Sequence, residues 1–288
     1  MEPLYVMDLH TDNGRLFNSF KYPAGEWQVR ITDEGEKWLR SSPRGFTVVA
    51  RIRSSDDLMR LCLLSDALDE YWFCCKPNYF LPYLPYARAD RRFTGGDCYG
   101  RGVLLRILKA SLDGPVKVLD AHSYREGSDN FTNISPEPYI SRAIMDFAIE
   151  NNAKSVDVLY PDAGAINRYK LPYRQGQLYV GFKQASKVRD QVNGTLTGFD
   201  VPPLDRPTLI VDDICDGGGT FLGIAEKNTS NAPLGLYVTH GIFSQGFDAL
   251  LSRFQKIYYT DSFWPMTDDH PNIVQYSVLD VLRGGSHD

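Results

Sequence analysis

Short apolar runs alternate along most of the chain with longer segments in which apolar residues return every three or four positions, the pattern of parallel strands covered by helices. Phe46-Thr47-Val48-Val49-Ala50 reads as a strand. Ser54-Ser55-Asp56-Asp57 then opens a helix with a capping-box pattern that puts Leu58, Leu61, Cys62 and Leu68 on one core-facing side. Val116-Lys117-Val118-Leu119 predicts another strand, leading to His122. A polar, turn-rich stretch over residues 123–135, with Gly127, Asp129, Asn130 and Asn133, separates it from a helix that Pro136-Glu137-Pro138 opens and that runs to about Glu150. The domain boundary is placed there, giving an N-terminal domain of residues 1–135 and a C-terminal domain of 136–288. In the latter, Val156-Asp157-Val158-Leu159, Leu178-Tyr179-Val180-Gly181 and Thr208-Leu209-Ile210-Val211 predict strands, and residues 221–227 a helix.

At 288 residues the chain holds two domains of ordinary size. Its net charge of −5 argues against a nucleic-acid surface, which needs a basic face. Five cysteines, Cys62, Cys74, Cys75, Cys98 and Cys215, are odd in number and lack metal-ligand spacing, so a reduced cytoplasmic setting is expected, without a disulfide framework or zinc site. No signal peptide or membrane span is expected.

The stretch richest in chemistry is Val211-Asp212-Asp213-Ile214-Cys215-Asp216-Gly217-Gly218-Gly219-Thr220. It lies where a predicted strand turns into a predicted helix, the place where open α/β sheets bind ligands. Glycines let backbone amides and a helix N-terminus surround a phosphate, while two adjacent carboxylates suit a sugar's vicinal hydroxyls or a metal. The competing reading is a plain turn with aspartates capping the helix. Cys215 is expected to be a packing residue rather than a nucleophile.

This stretch resembles the phosphate loop shared by type I phosphoribosyltransferases and 5-phosphoribosyl-1-pyrophosphate (PRPP) synthetases. Tyr83-Leu84-Pro85-Tyr86-Ala87-Arg88-Ala89-Asp90-Arg91-Arg92 resembles a signature of PRPP synthetases that the transferases lack. Tyr22-Pro23-Ala24-Gly25-Glu26, Arg53-Ser54-Ser55, Asp120-Ala121-His122, Tyr160-Pro161-Asp162-Ala163-Gly164 and Thr239-His240 are similar to further family landmarks, in the same order. The resemblance implies an α/β fold of two tandem phosphoribosyltransferase-like domains, each a mainly parallel sheet flanked by helices. It implies transfer of the β,γ-diphosphate of ATP to the anomeric hydroxyl of a ribose 5-phosphate group. Tyr22, Gly25, Glu26, Arg88, Asp90 and Arg91 are then expected to bind ATP, and His122 and Asp162 to hold Mg2+. Asp212 and Asp213 are expected to hold the ribose hydroxyls, and the backbone of Asp216, Gly217, Gly218, Gly219 and Thr220 the 5-phosphate. Lys187 and Arg189 have the spacing of the family's catalytic cations, in a polar stretch over residues 184–194 that could move as a lid; Lys183 competes. The family's nucleotide pocket combines two subunits, so a homodimer or larger homo-oligomer is expected.

Several positions depart from the family's pattern. Ala24 and Ala89 replace polar residues near the nucleotide, Ala163 and Ala165 alter the wall beyond Asp162, and Gly217 stands where the family has threonine. The open loop makes room for an esterified 5-phosphate such as that of ADP-ribose, whose pyrophosphorylation serves NAD salvage. Divergent PRPP synthetase-like proteins of that kind are encoded by some bacteriophages, which would put the protein in the host cytoplasm. ADP-ribose and free ribose 5-phosphate stand about equally as acceptors, with a lean to the former. A non-catalytic regulatory subunit is the alternative, and a phosphoribosyltransferase is opposed by the residue 83–92 signature.

Overall fold

In the computed structural model, residues 5–41, 45–71, 76–92, 94–122, 131–169, 171–189, 196–266 and 269–283 are described, without the side chains of 188, 189, 196, 197 and 283. They form two compact units, one of the described residues up to 134 with 281–283 and one of those from 135 to 280.

The first unit contains strands β1 (Val6–Asp8), β2 (Phe17–Lys21) and β3 (Trp27–Ile31), helix α1 (Asp33–Ser41), β4 (Phe46–Val49), α2 (Ser55–Asp69), β5 (Pro77–Leu81), α3 (Gly100–Ser111), β6 (Val116–Leu119) and β7 (Phe131–Ile134). Its sheet is parallel throughout, in the order β1-β4-β5-β6-β7, while β2 and β3 form an antiparallel hairpin. Helix α2 starts where expected, because the Ser54 hydroxyl accepts from the Asp57 amide at 3.1 Å. Its buried stripe is Leu61, Leu64 and Leu68, each contributing about 1.5–3 kcal/mol of apolar burial. Leu58 packs at the edge of this core, and Cys62 is only partly buried.

The second unit runs α4 (Glu137–Glu150), β8 (Ser155–Tyr160), α5 (Ala163–Arg168), β9 (Arg174–Gln175), β10 (Leu178–Gln184), β11 (Ser186–Arg189), β12 (Leu196–Asp200), β13 (Thr208–Cys215), α6 (Gly219–Lys227), β14 (Leu234–Gly241), α7 (Asp248–Leu251), β15 (Lys256–Thr260) and β16 (Ile273–Tyr276). Its sheet has the order β16-β15-β14-β13-β8-β10-β9 and is parallel except for β9. β13 continues four residues past the predicted apolar run, because Asp212, Ile214 and Cys215 pair with Val238, His240 and Gly241 of β14. Residues 186–189 form a strand rather than a loop, since they pair with β12 in a hairpin. That hairpin is anchored on α6, where the Phe199 ring takes the space a Cβ on Gly223 would need. Residues 190–194 of the stretch expected to move as a lid, residues 123–130 of the expected polar loop, and Cys74 and Cys75 lie outside the described residues.

Candidate active site

β13 leaves the sheet at Cys215, and Asp216, Gly217 and Gly218 turn the chain into α6. Gly218 has φ +80°, and a Cβ there would come within 3.1 Å of Leu250, so conformation and packing both call for glycine. The flanking glycines differ. A Cβ on Gly219 would meet nothing within 4 Å, and one on Gly217 only the Gln245 side chain at 3.7 Å. A plain turn therefore accounts for Gly218 alone. Its neighbours keep bare backbone beside a helix N-terminus whose first amides lack intrahelical partners, an arrangement suited to a phosphate.

The acidic pair before this loop is divided by the strand's alternation. Asp213 is buried and meets the Arg168 guanidinium at 2.9 Å. Asp212 stays partly accessible and accepts the Asp213 amide at 2.9 Å. Enclosure by surrounding protein, with the Asp213 charge beside it, raises the Asp212 carboxyl well above its usual range. Arg168 was not among the expected site residues; a cation six positions after Asp162 was its only signal. Cys215 is fully buried and its thiol is pushed up to about 12 by burial, which removes it as a nucleophile.

Asp162 caps α5, one oxygen accepting the amides of Gly164 at 3.0 Å and Ala165 at 3.1 Å. Its other oxygen faces Lys187 Nζ at 3.1 Å. Burial pushes this carboxyl up, but the Lys187 ammonium and the two amides more than offset it, leaving Asp162 below the usual carboxylate range. Lys183 is committed elsewhere: its ammonium lies 2.8 Å from the fully buried Asp157, whose second oxygen faces Arg206 at 2.8 Å. Of the two candidate lysines, only Lys187 is thus brought to Asp162. Arg189 shares β11, with its side chain outside the description.

In the first unit, Tyr22, Gly25 and Glu26 form the exposed tip of the β2–β3 hairpin, where the Tyr22 amide donates to the Glu26 carbonyl at 2.8 Å and Gly25 has φ +95°. Arg88, Asp90 and Arg91 follow β5 in a turn in which Tyr86 has φ +58°; Arg91 Nε lies 3.6 Å from Asp90. His122 is half-buried just beyond β6, its carbonyl accepting from Arg101 at 3.5 Å. Asp162 and His122 each stand beyond the carboxyl end of a parallel strand, within separate units.

Among the described residues no three His, Cys, Asp or Glu side chains converge as a preformed cation site. Magnesium does not need one, being held by one or two carboxylates together with substrate phosphates. The Asp162 oxygen already turned toward a cation fits that requirement.

Parallel sheets with a glycine loop and an acidic pair at a strand end define an α/β protein whose strand-end loop has the geometry suited to a phosphate. No protein-family model matches the chain. A crystal structure of phosphoribosylpyrophosphate synthetase from Mycobacterium smegmatis has the same fold, with a TM-score of 0.70 at 18% identity over 92% of this chain and 87% of that one. The architecture is that of two tandem phosphoribosyltransferase-like domains. In sequence the chain is 27% identical to the ribose-phosphate pyrophosphokinase of Pyrococcus abyssi over 232 residues, 78% of this chain and 76% of that protein. It is also 27% identical to that of Sulfolobus acidocaldarius over 268 residues, 89% and 87% of the two chains. The chain is thus similar to ribose-phosphate pyrophosphokinases over most of its length. No helix among the described residues is long and apolar enough to cross a membrane.

Proposed function

We propose that this protein is a diphosphotransferase that moves the β,γ-diphosphate of ATP to the anomeric hydroxyl of a ribose 5-phosphate group. The anomeric oxygen attacks the β-phosphorus, the bond from that phosphorus to the oxygen bridging to the α-phosphate breaks, AMP leaves and the hydroxyl proton is lost. The observation that carries this reading is the Lys187–Asp162 contact, which sets a cation and a cation-holding carboxylate together in the unit that bears the glycine loop.

In this reading the amides of residues 216–220 bind the 5-phosphate and Asp212 accepts from the ribose hydroxyls. Arg168 holds Asp213 in place. Lys187, with Arg189, meets the charge that spreads over the nonbridging oxygens of the transferred group, exchanging its contact with Asp162 for one with the phosphates. Asp162 and His122 would hold magnesium, which neutralises charge across the phosphates. Tyr22, Gly25, Glu26, Arg88, Asp90 and Arg91 bind ATP, with Tyr22 and Glu26 of one copy acting beside Arg88 of another, so the active form is a homodimer or larger and works in the cytoplasm.

The acceptor is ADP-ribose or free ribose 5-phosphate, and the open space at Gly217 supports the esterified one. The test is AMP release from ATP and magnesium with each acceptor, for the wild type and for Gly217→Thr. A threonine there has room for its Cβ but crowds an ester, so it should lower use of ADP-ribose more than use of ribose 5-phosphate. Wild-type turnover of ribose 5-phosphate with none of ADP-ribose would remove the larger acceptor, and AMP release with neither would remove the reaction.

A further inference from the structure

A cavity of about 520 Å³ opens in the second unit beyond the carboxyl ends of β14 and β15, a size ordinary for small-molecule sites. Its wall is aromatic. Phe243 packs against Phe247 with ring centroids 4.4 Å apart and edge-on against Tyr259 at 5.1 Å, while Trp264, half exposed, stands at the lining's outer side. The exposed Asp248 adds a carboxylate.

The cavity wall is joined to the glycine loop through the backbone. The amides of Ile242 and Phe243 donate to the Cys215 carbonyl at 2.9 and 3.2 Å, and that of Ser244 donates to the Asp216 carbonyl at 3.2 Å. Phe243 has φ +49°, a conformation that costs a bulky residue on the order of 1–3 kcal/mol and persists where surrounding structure enforces it. Gly241 contributes by lacking a side chain, for a Cβ there would strike the Phe243 ring. The strained turn thus does two things together: it lays an aromatic ring in the cavity and pins that wall to the loop. From β13 to β15 is two strand spacings, roughly 10 Å, the scale of a diphosphate with its ribose.

We propose that this cavity seats the adenine of a nucleotide-linked acceptor, so that the glycine loop holds the diphosphate of ADP-ribose while the rings of Phe247, Tyr259 and Trp264 enclose the base. This rests on the reading of the glycine loop as the sugar-phosphate site. Flat apolar walls suit a heteroaromatic ring, and Asp248 can accept from an exocyclic amine while disfavouring a phosphate in the same place. The phosphates are thereby kept at the amides and the base in the cavity.

The experiment measures two quantities on the full-length protein: the ratio of kcat/KM for ADP-ribose to that for ribose 5-phosphate, and the calorimetric Kd for ADP-ribose and for AMP. Wild type, Trp264→Ala and Asp248→Asn are compared, both positions being exposed enough to tolerate change. The expected result is a fall of at least tenfold in the ratio for Trp264→Ala and a smaller fall for Asp248→Asn, with the Kd for ADP-ribose weakened by a similar factor. If ADP-ribose is used but both variants keep the wild-type ratio and Kd, the cavity assignment is overturned and the acceptor reading stands. If ADP-ribose is not turned over yet it and AMP bind in a Trp264-dependent way, the acceptor reading falls and the adenine site stands. Absence of both turnover and Trp264-dependent binding overturns the two together.

Discussion

Both units place acidic side chains at or near the carboxyl ends of parallel strands, and they treat them in opposite ways. In the first, Asp8 at the end of β1 pairs with Arg51 beyond β4 at 2.7 Å, both nearly buried. Asp57 lies 3.4 Å from Arg60 and 3.8 Å from Arg53, and Asp12 pairs with Arg15. In the second, Asp213 has Arg168, but Asp212 is left beside it with a raised pKa and the glycines after it are uncovered. The same strand-end position is closed by matched charge in one unit and held open at an electrostatic cost in the other. The contrast is what the proposed sugar-phosphate site in the second unit calls for, an acidic pair and bare glycines not already closed by matched charge.

The largest effect should come from breaking the closed cluster. Asp8→Ala removes the carboxylate that meets the buried Arg51 guanidinium, and breaking such a buried pair typically costs about 3–5 kcal/mol. Urea unfolding should report that loss, and Asp8→Leu with Arg51→Met should recover most of it, because a buried pair replaced by apolar groups is close to neutral. If Asp8→Ala is as stable as the wild type, the first unit's charges are not matched in the way its geometry indicates.

Next in size is the separation of the two lysines. Lys187→Ala should lower kcat by about a hundredfold, about 2.7 kcal/mol, with KM values little changed, because its partner oxygens gain charge only in the transition state. Lys183→Ala should instead lower stability, since it strips one partner from the fully buried Asp157. Steady-state kinetics beside a thermal melt distinguishes them. An exchange of the two phenotypes would reverse the assignment of the site lysine.

A smaller effect of opposite sign is expected at Asp212. Its raised pKa means the folded state binds the proton more tightly than the unfolded chain does. That stability is fully present below the unfolded pKa and is lost as pH rises through the folded value. Asp212→Asn removes the loss and should raise neutral-pH stability by about 1 kcal/mol while abolishing acceptor use, the exchange of stability for function found at active sites. A melt at neutral pH that shows Asp212→Asn less stable than the wild type would contradict this.

Much of the fold was legible because the strands carry their own signal: Val116-Lys117-Val118-Leu119 and the 208–211 run are apolar at a strand's period, and Ser54 caps α2 by local chemistry. The glycine loop was legible for the same reason, all its parts being consecutive. What depends on distant partners was not. Lys183 and Lys187 look alike in sequence, and only the register of β10 on β8 puts one of them against Asp157. Asp8 and Arg51 are 43 residues apart, and the aromatic cavity gathers rings from three separate segments, so neither has a spacing to read. Residues 186–189 looked like a polar loop because a two-stranded hairpin at the edge of a unit needs no apolar run.

The smallest effect tests whether the closed cluster is also closed to protons. An arginine can only donate, so the Arg53 guanidinium at 3.0 Å fixes His10 Nδ1 as an acceptor, and the Arg51 carbonyl at 2.9 Å takes the Nε2 proton. The neutral ring is therefore the one that fits, and a protonated ring would set a second hydrogen against Arg53. Burial, then the Arg53 charge, lowers the His10 pKa against the opposing pulls of the Arg51 carbonyl, Asp57 and Asp8. A lowered folded pKa gives stability that is present above the ordinary value of about 6.5 and is lost as pH falls through the folded value. Moving from pH 7.5 to 5.5 should cost the wild type somewhat under about 1 kcal/mol, roughly 2 °C in Tm. His10→Gln keeps an acceptor for Arg53 and a donor for the Arg51 carbonyl but does not titrate, so its acid loss should be smaller by that amount. Parallel acid slopes for the two proteins would mean that Asp57 and Asp8 compensate the ring's charge, and that the cluster is matched in both protonation states.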